Sequence, residues 1–400
     1  MIGDRIRQAR LAKALTLDSA AQALKNSGES ISKQALSNYE KNKRTPRPAT
    51  LMRLAGIFGV HPRYFLEEST LHLEWTAYRC QARLGARKKE EIESFAKSIA
   101  EKYLYLRETL FPSEKPNFPS RRKVTCFPDA EKSAQSLRNR WGLGDASIDS
   151  LTRAVENNGG IVVNCDFPNI RFDGLSGWAN GNIPILVVNS LLPDDRRRFD
   201  LAHELGHLVM DCRGFTKKEE ERMAHRFAGA LLVPENQARR ELGRRRRSVT
   251  FRELATLKRK YGLSMQGWLS RARDLEIITQ SLYKNMFIEF SKRGWRKQEP
   301  EGFNGDEKPL RLLQMALRAL AEDIITQEKA MDLCPEIAMK KEERVSRESP
   351  DIPSARELMR LPPKERKRIL AKAAALVESD YLEDKELTAF EAFDSEDSQE

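Results

Sequence analysis

Apolar residues recur at helical spacing along most of the chain and run together or alternate at only a few places. Residues 1–66 read as five short helices. Ile6, Ala9 and Leu11 mark the first, and Leu15-Thr16-Leu17-Asp18 opens a second with Thr16 as its N-cap. Asn26-Ser27-Gly28 turns the chain, and Ser32 caps a third helix, 33–41, with Leu36 and Tyr39 inward. Arg44-Thr45-Pro46-Arg47-Pro48 breaks the pattern. A fourth helix, 49–58, is apolar at Leu51, Leu54, Ala55 and Phe58, and 62–66 allows one more short turn. Helix, turn, helix with a basic, polar third helix is a helix-turn-helix pattern. Residues 67–112, rich in Glu, Lys, Arg and Ala, predict a long helical connector or a dimer seam. Pro112, Pro116 and Pro119 then mark a hinge.

Beyond the hinge the period changes. Helices over 129–141 and 148–157 lead through Gly159-Gly160 into Ile161-Val162-Val163, a β-branched run that reads as a strand. Residues 174–179 and 183–189 read as two more strands. Pro184 favours an edge position for the last, where an extended peptide could add as a further strand. Helical spacing returns over 198–207 and 217–234, over 251–274 with a break at Tyr261–Ser264, and as a pair within 309–334. Residues 338–352 are a charged linker, and 355–361 and 364–378 are short helices. The fold expected is mainly α with a small β-sheet, α+β in class.

Length and charge narrow the function. Four hundred residues suit two or three domains, and 40% hydrophobic content suits ordinary globular cores. No apolar run reaches the ~18–20 residues that span a bilayer. The first residues, Met1-Ile2-Gly3-Asp4-Arg5, lack a hydrophobic signal region, so the expected location is cytoplasmic, with no membrane partner. Five dispersed cysteines read as reduced thiols. The net charge of +11 favours an acidic partner such as nucleic acid. Residues 378–400 hold ten acids against one Lys, which leaves the preceding 377 residues at +20.

The chemistry concentrates at His203-Glu204-Leu205-Gly206-His207. On a helix, His203 and His207 lie one turn apart on one face, the spacing a tetrahedral zinc ion accepts. Glu204, one position round the helix, has the place of a general base. Gly206 costs helix propensity and points to close packing against another backbone. A catalytic zinc takes three protein ligands. Glu219, Glu220 and Glu221 open the next helix, and one of them can be the third. Glu221 with His225 is an i, i+4 pair, so a ligating Glu221 would carry His225 beside the metal.

These residues also carry a resemblance. Arg198-Phe199 before the motif, then Glu221-x-x-Ala224-x-x-Phe227-Ala228 and Leu231-Leu232-Val233-Pro234, resemble the ImmA/IrrE family of zinc metallopeptidases across about 127–300. The resemblance implies one zinc ion held by His203, His207 and Glu221, with Glu204 as base; His225 is read apart from it, as a catalytic residue that holds charge on the scissile carbonyl or orients a ligand. It implies a zincin-like domain over 121–300, with a helical extension over 301–337. It further implies a protein substrate such as a repressor or antitoxin. The family often has Asn where this chain has His225.

Ile31-Ser32-Lys33-Gln34-x-x-Ser37-Asn38-Tyr39-Glu40-Lys41 followed by Pro46 resembles the XRE family of phage-repressor type. That resemblance implies a DNA-binding domain over 1–68 joined by a connector over 69–120. Lys33, Gln34, Ser37 and Asn38 would face base edges of a double-stranded operator, and Lys41, Lys43 and Arg44 its phosphates. A homodimer, with residues 67–112 as its seam, is among the partner states the reading allows. Residues 355–400, after a linker over 338–354, faintly resemble small bacterial antitoxins, with an acidic, disordered tail. The reading is a DNA-binding regulator carrying a zinc endopeptidase. The rival is a non-enzymatic zinc-binding or sensing regulator of a toxin–antitoxin system.

Overall fold

The computed structural model describes residues 1–69, 71–80, 85–166, 172–337, 362 and 364–371. The chain falls into two compact units, Met1–Pro335 and Glu336–Glu400. In the second, residues 364–371 are helical, as expected. The expected linker and most of the antitoxin-like segment with its acidic tail lie outside the described residues.

The first unit begins with helices α1 (Ile2–Ala12), α2 (Leu17–Asn26), α3 (Lys33–Glu40) and α4 (Pro48–Phe58), then one 3₁₀ turn, Pro62–Phe65. The expected N-caps Thr16 and Ser32 both accept a backbone hydrogen bond. Ile6, Leu24, Leu36, Leu54, Phe58 and Phe65 form the core of this bundle. Gly3 is required where it stands, since a Cβ there would lie 2.2 Å from the Tyr39 carbonyl oxygen.

Strand β1 (Leu73–Cys80) and helix α5 (Ala86–Leu110) follow. Residues 73–80 were expected to be helical, and the structure corrects this: β1 pairs antiparallel with a strand of the sheet. α5 is the expected long helix. It buries Ile92, Ala96, Ala100 and Leu104, and it packs against α1, so this face is covered within the chain.

The remainder runs β2 (Arg122–Lys123), α6 (Phe127–Arg140), α7 (Leu151–Asn157), β3 (Ile161–Cys165), β4 (Phe172–Ala179), β5 (Ile183–Asn189), α8 (Asp194–Val209), β6 (Met210–Asp211) and α9 (Lys217–Leu232). Then come α10 (Glu235–Leu242), α11 (Phe251–Tyr261), α12 (Met265–Asp274), α13 (Gln280–Lys292), α14 (Arg311–Ala321) and α15 (Gln327–Leu333). α10 and α13 were not expected as separate helices. The main sheet has the order β1-β4-β5-β3, with β5 antiparallel to β4 and parallel to β3.

β5 is therefore internal, a correction to the edge position expected from Pro184. The β3 ladder begins only at Ile185, so the proline stands just before it and removes no donor from that ladder. All seven β5 residues are buried. β4 is likewise flanked on both sides, by β1 and β5. α8 lies across β4 and β5 and packs against α9, and these contacts set the geometry of the site.

Candidate metal centre

α8 starts with Asp194 and Asp195, acids that suit the positive end of a helix. It is fixed by Arg198, whose guanidinium is 1% exposed. Arg198 donates to Glu307 Oε1 at 2.7 Å and to the carbonyls of Ile148 at 2.7 Å, Asp149 at 2.6 Å and Tyr261 at 3.1 Å. Glu307 also accepts from the backbone of Leu151 and Thr152, capping α7. The helix carrying the motif is thus tied to α7 and to the segment before α14.

α9 crosses α8 closely because of Gly206. A Cβ at that position would lie 3.1 Å from the Phe227 ring and 3.4 Å from the Ala224 Cα. The close packing expected from this glycine is observed. α9 begins with a capping box in which Thr216 and Glu219 exchange hydrogen bonds.

That box separates the three glutamates. Glu219 is used by the cap. Glu220 Oε1 lies 3.5 Å from His207 Nδ1. Glu221 faces both histidines, with Oε2 3.3 Å from His203 Nε2 and Oε1 3.6 Å from His207 Nε2. The two Nε2 atoms are 3.0 Å apart. Ligands of a tetrahedral zinc at ~2.0–2.1 Å stand about 3.3 Å from one another. The spacing of His203, His207 and Glu221 fits one ion, and these residues form a group that could hold a metal.

The electrostatics are consistent with a cation site. Burial works against a charged His207 imidazole, yet Glu220, Glu204 and Glu221 outweigh it and raise its pKa. The hydrogen bond to His207 in turn holds Glu220 below the ordinary glutamate value. His203 and Glu204 are fully buried, while Glu221 is 42% exposed, so the centre is open on the α9 side.

Glu204 is supported from the sheet. Its Oε2 accepts from Ser176 Oγ at 2.6 Å. A Cβ at Gly174 would stand 2.9 Å from Glu204 Cγ, so β4 needs a glycine there. Sequence reasoning missed both residues. The His225 ring centre is 4.7 Å from that of His203, with Nδ1 2.6 Å from the Glu221 carbonyl. That carbonyl only accepts, so Nδ1 is the donor.

In the N-terminal bundle, α3 turns Leu36 and Tyr39 into the core and is pinned by Glu40, which receives Arg10 at 2.5 and 2.8 Å. Lys33 and Gln34 are exposed, Ser37 and Asn38 half-buried, and Lys41, Lys43 and Arg44 exposed in the following turn. Lys33 pairs with Asp18 at 2.6 Å, and Gln34 Nε2 lies 3.4 Å from Asn38 Oδ1. In the basic run Arg244-Arg245-Arg246-Arg247, Arg246 pairs with Glu253 at 2.8 Å.

Residues 6–65 match the family model described as Helix-turn-helix. Residues 157–272 match the one described as IrrE N-terminal-like domain, a peptidase family. The chain joins an XRE-type helix-turn-helix region to an IrrE/ImmA-like peptidase-family region. The second match runs from before β3 into α12 and holds both motif histidines, Glu204 and Glu221. A search of the curated proteins found no match. The chain is a DNA-binding regulator with a metallopeptidase-type domain. Among the described residues, no helix is long and apolar enough to cross a membrane.

Proposed function

We propose that this regulator cuts a protein substrate with a single zinc ion held by His203, His207 and Glu221. The observation that carries the reading is the triangle of those three side chains with Glu204 one residue from His203. Zinc in such a site supplies Lewis acidity, acidifying water and polarising a carbonyl. Glu204 would accept a proton from the attacking water and return it to the departing amine. Ser176 would hold the Glu204 carboxylate in one orientation for both transfers. Glu220 would orient the His207 ring through Nδ1. His225, which donates Nδ1–H to the Glu221 carbonyl and lies beside His203, would orient these ligands.

A carboxylate in the ligand set and an open side favour catalysis over a closed structural site, which prefers a Cys-rich shell. The substrate class proposed is a repressor or antitoxin-like protein in the cytoplasm. Binding to a double-stranded operator through α3 would set when the peptidase matters. A homodimer would place two α3 helices on neighbouring half-sites. The direct test is to incubate the zinc-loaded protein with the products of adjacent genes. A partner cleaved by wild type and left intact by Glu204→Gln supports the reading. Equal cleavage by both rejects Glu204 as the base.

A further inference from the structure

We propose that the cavity beside the metal centre is a specificity pocket for an acidic side chain of the substrate, close to the bond that is cut. This rests on the peptidase reading above. The cavity has a volume of about 620 Å³, and Phe199 and His225 are among its lining. His225 stands between it and His203, with ring centres 4.7 Å apart. A peptide whose carbonyl lay at the metal group would have a neighbouring side chain within reach of this cavity.

The lining is basic. Arg222, Arg226, Arg271 and Arg273 contribute to it, against one carboxylate, Asp274. Glu131, which is not part of the lining, pairs with Arg226 and Arg271, and Asp274 pairs with Arg226 and Arg273. Arg226, Arg271 and Arg273 thus share two carboxylates. Arg222 has no ion pair among the described residues. Its guanidinium lies 5.0 Å over the Phe127 ring, a contact that limits its freedom. Arg222 is exposed and open to a ligand, while Arg271 is buried, where its charge is screened less by water. A guanidinium fork matches a carboxylate in geometry as well as charge. Gly229 on the lining leaves the room, since a Cβ there would meet only Arg271 Cδ, at 3.5 Å.

The test uses binding, so that it does not depend on turnover. Three capped heptapeptides, alanine except for a central Glu, Gln or Lys, are titrated calorimetrically into the full-length, zinc-loaded Glu204→Gln protein. The pocket predicts that the Glu peptide binds roughly 10-fold more tightly than the Gln peptide, the scale of one charge-assisted hydrogen bond. The Lys peptide should bind most weakly. Arg222→Glu should abolish the preference with zinc content unchanged. Gly229→Leu, which fills the cavity beside Arg271 and changes no charge, should weaken all three peptides. Equal binding of Glu and Gln peptides, or no binding of the Glu peptide at millimolar concentration, overturns the proposal. Cutting by the wild-type protein is scored separately. A Glu preference without any cutting keeps the pocket and rejects the peptidase reading instead.

Discussion

The anchoring of α8 makes a quantitative prediction. Arg198→Met removes a buried guanidinium and strands Glu307, which is only 2% exposed. Three backbone carbonyls lose a donor at the same time. Breaking a buried ion pair from one side costs about 3–5 kcal/mol, and the orphaned carbonyls place this variant at the upper end of that range. Glu307→Gln alone should cost less, about 2–3 kcal/mol, because the amide oxygen can still accept while the guanidinium keeps its three carbonyls. In the double variant no charge is stranded. Its loss should therefore fall short of the sum of the single losses by about 2 kcal/mol. Urea unfolding of the four proteins at pH 7, followed by tryptophan fluorescence, closes the cycle. Trp268 is fully buried in the same core and provides a probe. Additivity within about 0.5 kcal/mol would refute the claim that Arg198 and Glu307 act as one unit.

Three further outcomes follow from other parts of the molecule. Ser176→Ala removes the hydrogen bond to Glu204 and should lower kcat on a cleaved partner by roughly 10-fold with little change in KM or zinc content; an unchanged kcat would remove Ser176 from the mechanism. Gln34→Ala should reduce sequence preference for the operator by ~1–3 kcal/mol more than it reduces general affinity, and a uniform loss on all duplexes would make Gln34 a positioning residue. Burial raises the Glu156 carboxyl from 4.5 to about 7, against hydrogen bonds from the Leu310 and Arg311 amides. Because the folded-state pKa is the raised one, this stability is present below pH 4.5 and is lost as pH rises through about 7. The change is about 3 kcal/mol between those limits. Glu156→Gln should flatten that part of the stability–pH curve, and an unaltered slope would show that the group does not titrate there.

Local patterns were the legible part of this chain. The i, i+4 histidines, the Thr16 and Ser32 caps and the 183–189 strand are fixed by neighbours in sequence, and the structure has each where the spacing implied. Gly206 also signalled correctly, because a glycine inside a helix has few reasons other than a close neighbour. The misses were tertiary. β1 has strand formers at Trp75, Thr76 and Tyr78, but its acidic and basic surroundings suggested a helix, and it is held by pairing with β4, about a hundred residues away. Pro184 implied an edge because the rule does not know where the partner ladder begins. Ser176 and Gly174 reach Glu204 only through the packing of α8 on β4, which leaves no mark in either segment. The three glutamates of α9 could not be told apart until the capping box assigned Glu219 to Thr216.

The central claim is that His203, His207 and Glu221 together hold one zinc ion, and its most direct test is the zinc content of purified variants. Wild type and Glu204→Gln should each carry about one zinc per chain. His203→Ala and Glu221→Ala should lose it, while Glu220→Gln, which removes a carboxylate beside Nδ1 of His207, should keep the metal with weakened affinity. Zinc content in His203→Ala equal to that of wild type would contradict the account, as would loss of zinc from Glu220→Gln but not from Glu221→Ala.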